Sequence, residues 1–233
     1  MELLLAHNPV LIAIGIGMLP SVIWLTFWLY LARDRREPFL LMTMCFILGG
    51  LSVFAATFIQ HALTPLVTSV THRVIIWAAI EECLKFLVFY GVAYKSAYDN
   101  EALDPAMYLI VVALGFAAIE NIFYVLKPAA TLNITASLLT GGLRFFGSTL
   151  LHVIASCFIG IMITLSPRRR RTTAMFVGLA GAIFLHSTFN FFVLKNTSTG
   201  VIQVYGFLWM SALLTHLILE KFRRYPPRAL ARV

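Results

Sequence analysis

The chain has 233 residues, of which 60% are hydrophobic and 12% charged, and its mean hydropathy is +0.88. Soluble globular domains carry about 25% charged residues, so this composition excludes that class and indicates a membrane protein. The net charge of +8 lies in short blocks between long apolar runs, which is typical of loops that bind anionic lipid headgroups and argues against a nucleic-acid-binding protein.

Seven apolar runs reach the length of about 20 residues that a helix needs to cross a bilayer. They predict an all-α polytopic membrane bundle with spans at 9–31, 39–60, 74–94, 106–126, 139–165, 173–194 and 201–219. The first run is too long for the core of a signal peptide, and no cleavage site of small residues follows it, so we expect a retained helix. Within the fifth run, Gly141, Gly142 and Gly147 predict a tilt, a break or an interfacial start.

Lysines and arginines in the connecting segments predict the orientation of the bundle. With seven spans, thirteen of these residues fall on one side of the membrane and three on the other. Cytoplasmic loops carry the excess of positive charge, so the amino terminus should lie outside and the carboxyl terminus in the cytoplasm. No connecting segment is long enough to fold separately, and residues 1–233 are therefore expected to form one membrane-embedded domain.

Ionisable side chains inside apolar runs are costly in lipid, so they usually face the bundle interior and take part in function. Four predicted spans carry such groups: Glu81, Glu82, Lys85, Glu120, Arg144, His152 and His186. At about 1.5 Å of rise per residue, the carboxylates of the third and fourth spans and the imidazole of the sixth lie about 9 to 13 Å below the outer ends of their spans, and His152 lies near mid-depth or somewhat above. We therefore expect these groups to form one site in the outer half of the membrane.

Lys85 follows Glu81 by four residues and Glu82 by three, so it can pair with either carboxylate across one helical turn. Such a pair would leave the other carboxylate available for chemistry. Lys85 and Arg144 could also do no more than balance buried charge.

Three uncharged polar residues accompany the ionisable groups: Asn121, Ser156 and Asn190. Asn121 is adjacent to an acid, and the other two follow a histidine by four residues, which places them on the same helix face. Any of them could instead only join neighbouring helices, as small polar residues do in membranes.

Carboxylates and imidazoles in a partly wet cavity are suited to activating water. One carboxylate could act as general base, and histidines with a carboxylate could bind a metal that keeps one position open for water. Alternatively, a histidine and Asn190 could donate hydrogen bonds to an oxyanion without a metal. Hydrolysis of an amide bond fits both versions. The HExxH and GxSxG motifs and paired aspartates within spans are absent from the sequence.

A proton-coupled transporter could also use buried glutamates and histidines, since such groups relay protons. The sequence shows no inverted repeat with paired broken helices, the usual feature of transporters.

Four motifs occur in order on separate predicted spans: EExxK at residues 81–85, FxxxE at 116–120, His152 with Ser156, and His186 with Asn190. Together they resemble the PrsW family of intramembrane proteases, which is related to the CAAX prenyl proteases and to the multi-helix scaffold subunit of gamma-secretase. The resemblance covers a catalytic core of about residues 74–194, and the chain departs from none of the four motifs. A non-catalytic scaffold is the alternative that the gamma-secretase relative suggests, but the complete motif set favours an enzyme.

The resemblance implies a role for each site residue. Glu81 or Glu82 would be the base that activates water, and Asn190 would stabilise an oxyanion or position a ligand. The metal ligands or transition-state partners would be Glu120, His152 and His186, and the supporting residues would be Lys85, Ser156 and Asn121.

The resemblance also implies a cofactor, a substrate and a location. The metallopeptidase label that the family often carries implies zinc, whereas its relatives leave open a glutamate-dependent mechanism without metal. The expected substrate is a single-pass membrane protein similar to an anti-sigma factor, cleaved on the outer side of a bacterial plasma membrane.

Overall fold

The computed structural model describes residues 8–31, 38–94, 96, 103–131, 133–195 and 198–224. Eight α-helices occupy this part of the chain: α1 Pro9–Leu31, α2 Phe39–Leu63, α3 Val70–Val92, α4 Asp104–Ala130, α5 Ile134–Phe146, α6 Ser148–Leu165, α7 Arg171–Lys195 and α8 Ser198–Arg224. A short 3₁₀ turn, Arg168–Arg170, leads into α7. The predicted all-α class is confirmed, and each predicted span coincides with one helix or, for the fifth span, with two.

Five segments of the described chain are long and apolar enough to cross a bilayer: α1, α2, α4, α5 together with α6, and α7. Helix α3 falls short because Arg73, Glu81, Glu82 and Lys85 lie within its 23 residues. Helix α8 contributes only the shorter apolar stretch Tyr205–Ile218. The multi-pass membrane protein is thus confirmed, while the count of seven spans and the orientation stay predictions.

The fifth predicted span is broken at Gly147, which is one of the three alternatives that its glycines indicated. The N–H of Gly147 donates to the carbonyl of Leu143 at the end of α5, and its own carbonyl accepts from the N–H of Leu151 in the first turn of α6. A Cβ at Gly147 would lie 2.9 Å from the Leu143 oxygen, so a side chain would crowd the last turn of α5. The break leaves α5 as a separate short helix that packs on α1 and α4.

Helix α4 lies at the centre of the bundle. All residues from 104 to 118 are buried, and the helix packs against α1, α2 and α6. The approach to α2 depends on missing side chains, since a Cβ at Gly115 would lie 1.9 Å from the carbonyl oxygen of Phe46. Small residues allow such close backbone contact between membrane helices. Because α6 also packs on α7 and α7 on α3, the four motif-bearing helices surround one common interior.

Candidate active site

The ionisable residues of four helices form one connected cluster: Glu81, Glu82 and Lys85 on α3, Glu120 on α4, His152 on α6 and His186 on α7. Counted from the ends of α3, α4 and α7 on one side of the bundle at about 1.5 Å per residue, the carboxylates and His186 lie about 13 to 18 Å deep. The two acids of α3 are deeper than predicted because the helix begins at Val70, where the Ser69 hydroxyl accepts a hydrogen bond from the N–H of His72. The predicted convergence of these side chains is present in the structure.

Glu82 is the fully buried centre of the cluster. Its Oε1 accepts from Lys85 Nζ at 2.6 Å and from His186 Nδ1 at 2.7 Å. An ionised carboxylate can only accept hydrogen bonds, so Nδ1 of His186 carries a proton. In a neutral ring the lone pair then lies on Nε2 of His186.

Glu81 points to a different set of partners. Its Oε1 accepts from Gln60 Nε2 on α2 at 2.9 Å, whereas its buried Oε2 has no hydrogen-bond partner. This free oxygen lies 3.7 Å from Nε2 of His186. Two buried acceptor atoms therefore face each other, an arrangement that calls for a water or a cation between them.

His152 joins the two halves of the cluster. Its Nδ1 lies 2.9 Å from Lys85 Nζ and its Nε2 lies 3.0 Å from Glu120 Oε2. Because the ammonium group of Lys85 can only donate, Nδ1 accepts from it, and Nε2 carries the hydrogen that is donated in the bond to Glu120 Oε2. The ring stands edge-on to that of His186, with the two centroids 5.0 Å apart. Both nitrogens of His152 are therefore occupied in this arrangement.

Arg144 bonds the same oxygen of Glu120 as His152 does. Its guanidinium group donates to Glu120 Oε2, to Asn121 Oδ1 and, at 2.7 Å, to Ser148 Oγ. Asn121 in turn donates from Nδ2 to Thr149 Oγ1 at 2.9 Å. These bonds connect α4, α5 and α6 around the outermost carboxylate of the cluster.

The cluster carries an excess of acid. Three carboxylates meet two basic side chains, Lys85 and Arg144, so the formal charge is −1 when both histidines are neutral. Uncompensated charge away from water is costly. A bound cation or an additional proton would remove this cost.

The donor atoms fit a catalytic metal ion. One ligand atom each from Glu81, His152 and His186 lie within 4.8 Å of one another, and two histidines with one glutamate are a common donor set of catalytic zinc. Ligands at about 2.0–2.2 Å from a tetrahedral zinc are roughly 3.3–3.6 Å apart, so the 3.7 Å between Glu81 and His186 requires little adjustment. Metal-binding histidines usually donate their second N–H to a carboxylate, as His186 does to Glu82 and His152 to Glu120.

Two predicted ligands need comment. His152 could bind through Nδ1 only after exchanging its hydrogen bond with Lys85. Glu120 was expected to be a ligand, but its Oε2 already accepts from Arg144 and His152, whereas Oε2 of Glu81 has no hydrogen-bond partner. Its role as a ligand stays a prediction.

A family model described as PrsW family intramembrane metalloprotease matches residues 37–217, more than three quarters of the chain. The chain belongs to the PrsW family. The matched region includes every helix that contributes to the cluster.

Curated relatives named Protease PrsW support the assignment. The protein of Geobacillus kaustophilus is 29% identical over 191 residues, covering 80% of this chain and 82% of the relative. The protein of Oceanobacillus iheyensis is 28% identical, and the match covers 84% of this chain and 91% of the relative. The protein of Bacillus subtilis is 25% identical, and the match covers 84% of this chain and 90% of the relative. No solved structure matches the chain. The protein is thus an intramembrane peptidase of the bacterial cell membrane, as the motifs predicted.

The three predicted supporting residues and Asn190 have different positions in this PrsW-family site. Lys85 and Asn121 are joined to it by the bonds described above. Ser156 is fully buried one turn from His152, and its hydroxyl has no hydrogen-bond partner. Asn190 is half-buried one turn from His186 toward the Lys195 end of α7.

Sequence reasoning missed several contacts of the site. Gln60 lies at the end of the second predicted span, outside the predicted core of 74–194, and was not distinguished from other residues at span ends. Ser148 follows Arg144 by four residues, and Tyr124, whose ring centroid lies 4.0 Å from Arg144 Cζ, follows Glu120 by four. The same one-turn spacing that selected Asn190 would have identified these two residues.

Proposed function

We propose that the protein cleaves single-pass membrane proteins, similar to anti-sigma factors, near the outer face of the bacterial membrane, with water activated between Glu81 and His186. The facing lone pairs of Glu81 Oε2 and His186 Nε2, 3.7 Å apart and buried, carry this proposal. They provide a position for a polarised water or for a metal ion that binds one. The outer side is the one that the distribution of lysine and arginine assigns to the ends of α3 and α4 near the site.

Glu81, His152 and His186 are the proposed ligands, and zinc is the proposed metal, which when bound would acidify its water and polarise the scissile carbonyl. Glu82 is then the proposed base, because its Oε2 has no hydrogen-bond partner and can receive the proton of the water. Lys85 keeps Glu82 in place through Oε1. Asn190, one turn from His186, is the proposed donor to the oxyanion.

A metal-free version of the reaction uses the same residues in different roles. A water between Glu81 Oε2 and His186 Nε2 would then lose its proton to Glu81, which is held in position by Gln60. Metal analysis of the purified protein separates the two versions. Zinc at one equivalent that is lost in Glu81→Gln and His186→Ala supports the metal version, whereas full activity after exhaustive chelation supports the metal-free one.

The proposed substrate class is tested by comparing new protein amino termini in membranes that contain the wild type or Glu82→Gln at equal abundance. Termini that require the wild type should cluster near the outer ends of single-pass helices. Glu220→Gln on α8 is a control carboxylate and should retain the wild-type pattern. Equal patterns for the wild type and Glu82→Gln in membranes of the natural host would contradict the proposal, as would termini confined to the cytoplasmic side.

A further inference from the structure

Arg144 is a charged residue for which the proposed reaction has no role. It lies on α5, three residues before the break at Gly147, and its side chain is largely buried. Its guanidinium group contacts residues of the site and their immediate neighbours: Glu120, Asn121, Tyr124 and Ser148. Together these contacts join α4, α5 and α6 at the cluster.

The break at Gly147 allows Arg144 on α5 to contact residues of α4 and α6. Arg144 and Ser148 are four residues apart, yet they belong to different helices, and the Arg144 guanidinium meets the Ser148 hydroxyl at 2.7 Å. Nε of the same group donates to Asn121 while Nη2 donates to Glu120. A planar guanidinium can make such divergent bonds at once, whereas an ammonium group lacks this fixed fork.

The bond to Glu120 bears directly on His152. Glu120 Oε2 accepts from Arg144 and from Nε2 of His152, and Ser148 Oγ lies 3.5 Å from the same oxygen. Without Arg144, the carboxylate would lose its strongest partner and could rotate away from the histidine. His152 would then lose the acceptor that fixes its Nε2–H form and directs Nδ1 toward Lys85 and the interior of the cluster.

We propose that Arg144 is a positioning residue of the protease, which acts through Glu120 to hold His152 in the orientation and tautomer required for hydrolysis. The proposal rests on the proposed function, because it concerns the same site. Tyr124 assists by stacking against the guanidinium plane.

The first test measures the rate at which wild-type-dependent amino termini form in isolated membranes. Arg144→Ala should lower this rate by about 10- to 100-fold, the range for partners that orient a catalytic histidine, and Arg144→Lys should recover only part of it. Added guanidinium chloride at millimolar concentration should partly restore Arg144→Ala. Arg73→Ala is the matched control: Arg73 is also partly buried, but it donates to the carbonyl of Val67, and its loss should alter neither the rate nor the response to guanidinium.

The second test measures the NMR signals of the His152 ring nitrogens. The chain has six histidines, so ¹⁵N-histidine NMR in detergent can assign His152 by its absence in His152→Gln. The Nε2–H signals of His152 should be lost or shifted in Arg144→Ala and unchanged in Arg73→Ala.

Wild-type rates in Arg144→Ala would overturn the proposal, and so would a loss of rate with unchanged His152 signals and no response to guanidinium. Glu82→Gln distinguishes a failure of the proposed function. If that variant is as active as the wild type, the site assignment is wrong, independently of Arg144.

Discussion

Removal of the buried ammonium group of Lys85 should destabilise the protein strongly. Lys85 and Glu82 are both fully buried, and Lys85 Nζ is bonded to Glu82 Oε1 at 2.6 Å and lies 2.9 Å from His152 Nδ1. Methionine has a length similar to that of lysine and carries no charge. Lys85→Met therefore leaves Glu82 with His186 as its remaining partner and makes the formal charge of the cluster more negative, from −1 to −2. Breaking a buried ion pair by removing one partner costs about 3–5 kcal/mol, and we expect a loss of free energy of unfolding in this range.

The double variant Lys85→Met/Glu82→Gln provides the decisive comparison. It removes both charges of the pair and returns the formal charge of the cluster to −1, so it should recover more than half of the stability lost in Lys85→Met. Equilibrium unfolding in mixed micelles with increasing denaturing detergent measures all the variants. Glu82→Gln alone completes the cycle, and a coupling below about 0.5 kcal/mol would refute the assignment of these residues as a buried ion pair.

Three further predictions concern the site, the packing and the orientation. Gln60→Leu removes the donor to Glu81 Oε1 and should lower the cleavage rate about 10-fold. Gln203→Leu on the exposed side of α8 is the control and should leave the rate unchanged. Equal rates for these two variants would show that Gln60 does not position Glu81. Gly115→Ala should destabilise the protein by about 1–3 kcal/mol because its Cβ would lie 1.9 Å from the carbonyl oxygen of Phe46. A Cβ at Gly142 meets nothing within 4 Å, so Gly142→Ala should have little effect. Similar unfolding curves for the two variants would contradict the close packing of α2 and α4. A cysteine at Ser166 should resist an impermeant thiol reagent added to intact cells and react after permeabilisation, and the reverse would place the site in the cytoplasmic half of the membrane.

The sequence predicted that the site residues lie at similar levels, but it underestimated their depth and did not specify their pairings. Helix rise and alternating direction fix how deep a residue lies, so the acids of α3 and α4 and the histidine of α7 could be placed at similar levels from spacing alone. Glu81 and Glu82 are adjacent and therefore point about 100° apart around the helix axis. Which of them faces His186 Nδ1 and Lys85 depends on the rotation of α3, and no pattern in the sequence specifies that rotation.

A break in the fifth span was one of three predicted alternatives, but its consequence for Arg144 was not predicted. Glycines indicate where a helix can stop, and the structure confirms the stop. The position of Arg144 over Glu120 and Ser148 depends on how α5 packs on α1 and α4, which is a tertiary contact between residues distant in sequence. Polar residues at span ends, such as Gln60, are common for reasons of solvation alone, so their participation in a site becomes evident only when the neighbouring helix is in place.

The order of the helices has a consequence for synthesis of the enzyme. Central helix α4 packs on α1 and α2, which are made before it, and on α6, which is made after it. The carboxylates on α3 and α4 thus enter the membrane well before His186, which arrives with α7. A nascent chain that has not yet inserted α7 lacks the His186 partner of Glu81 and Glu82, so the cluster of buried ionisable groups is complete only after α7 has entered the membrane.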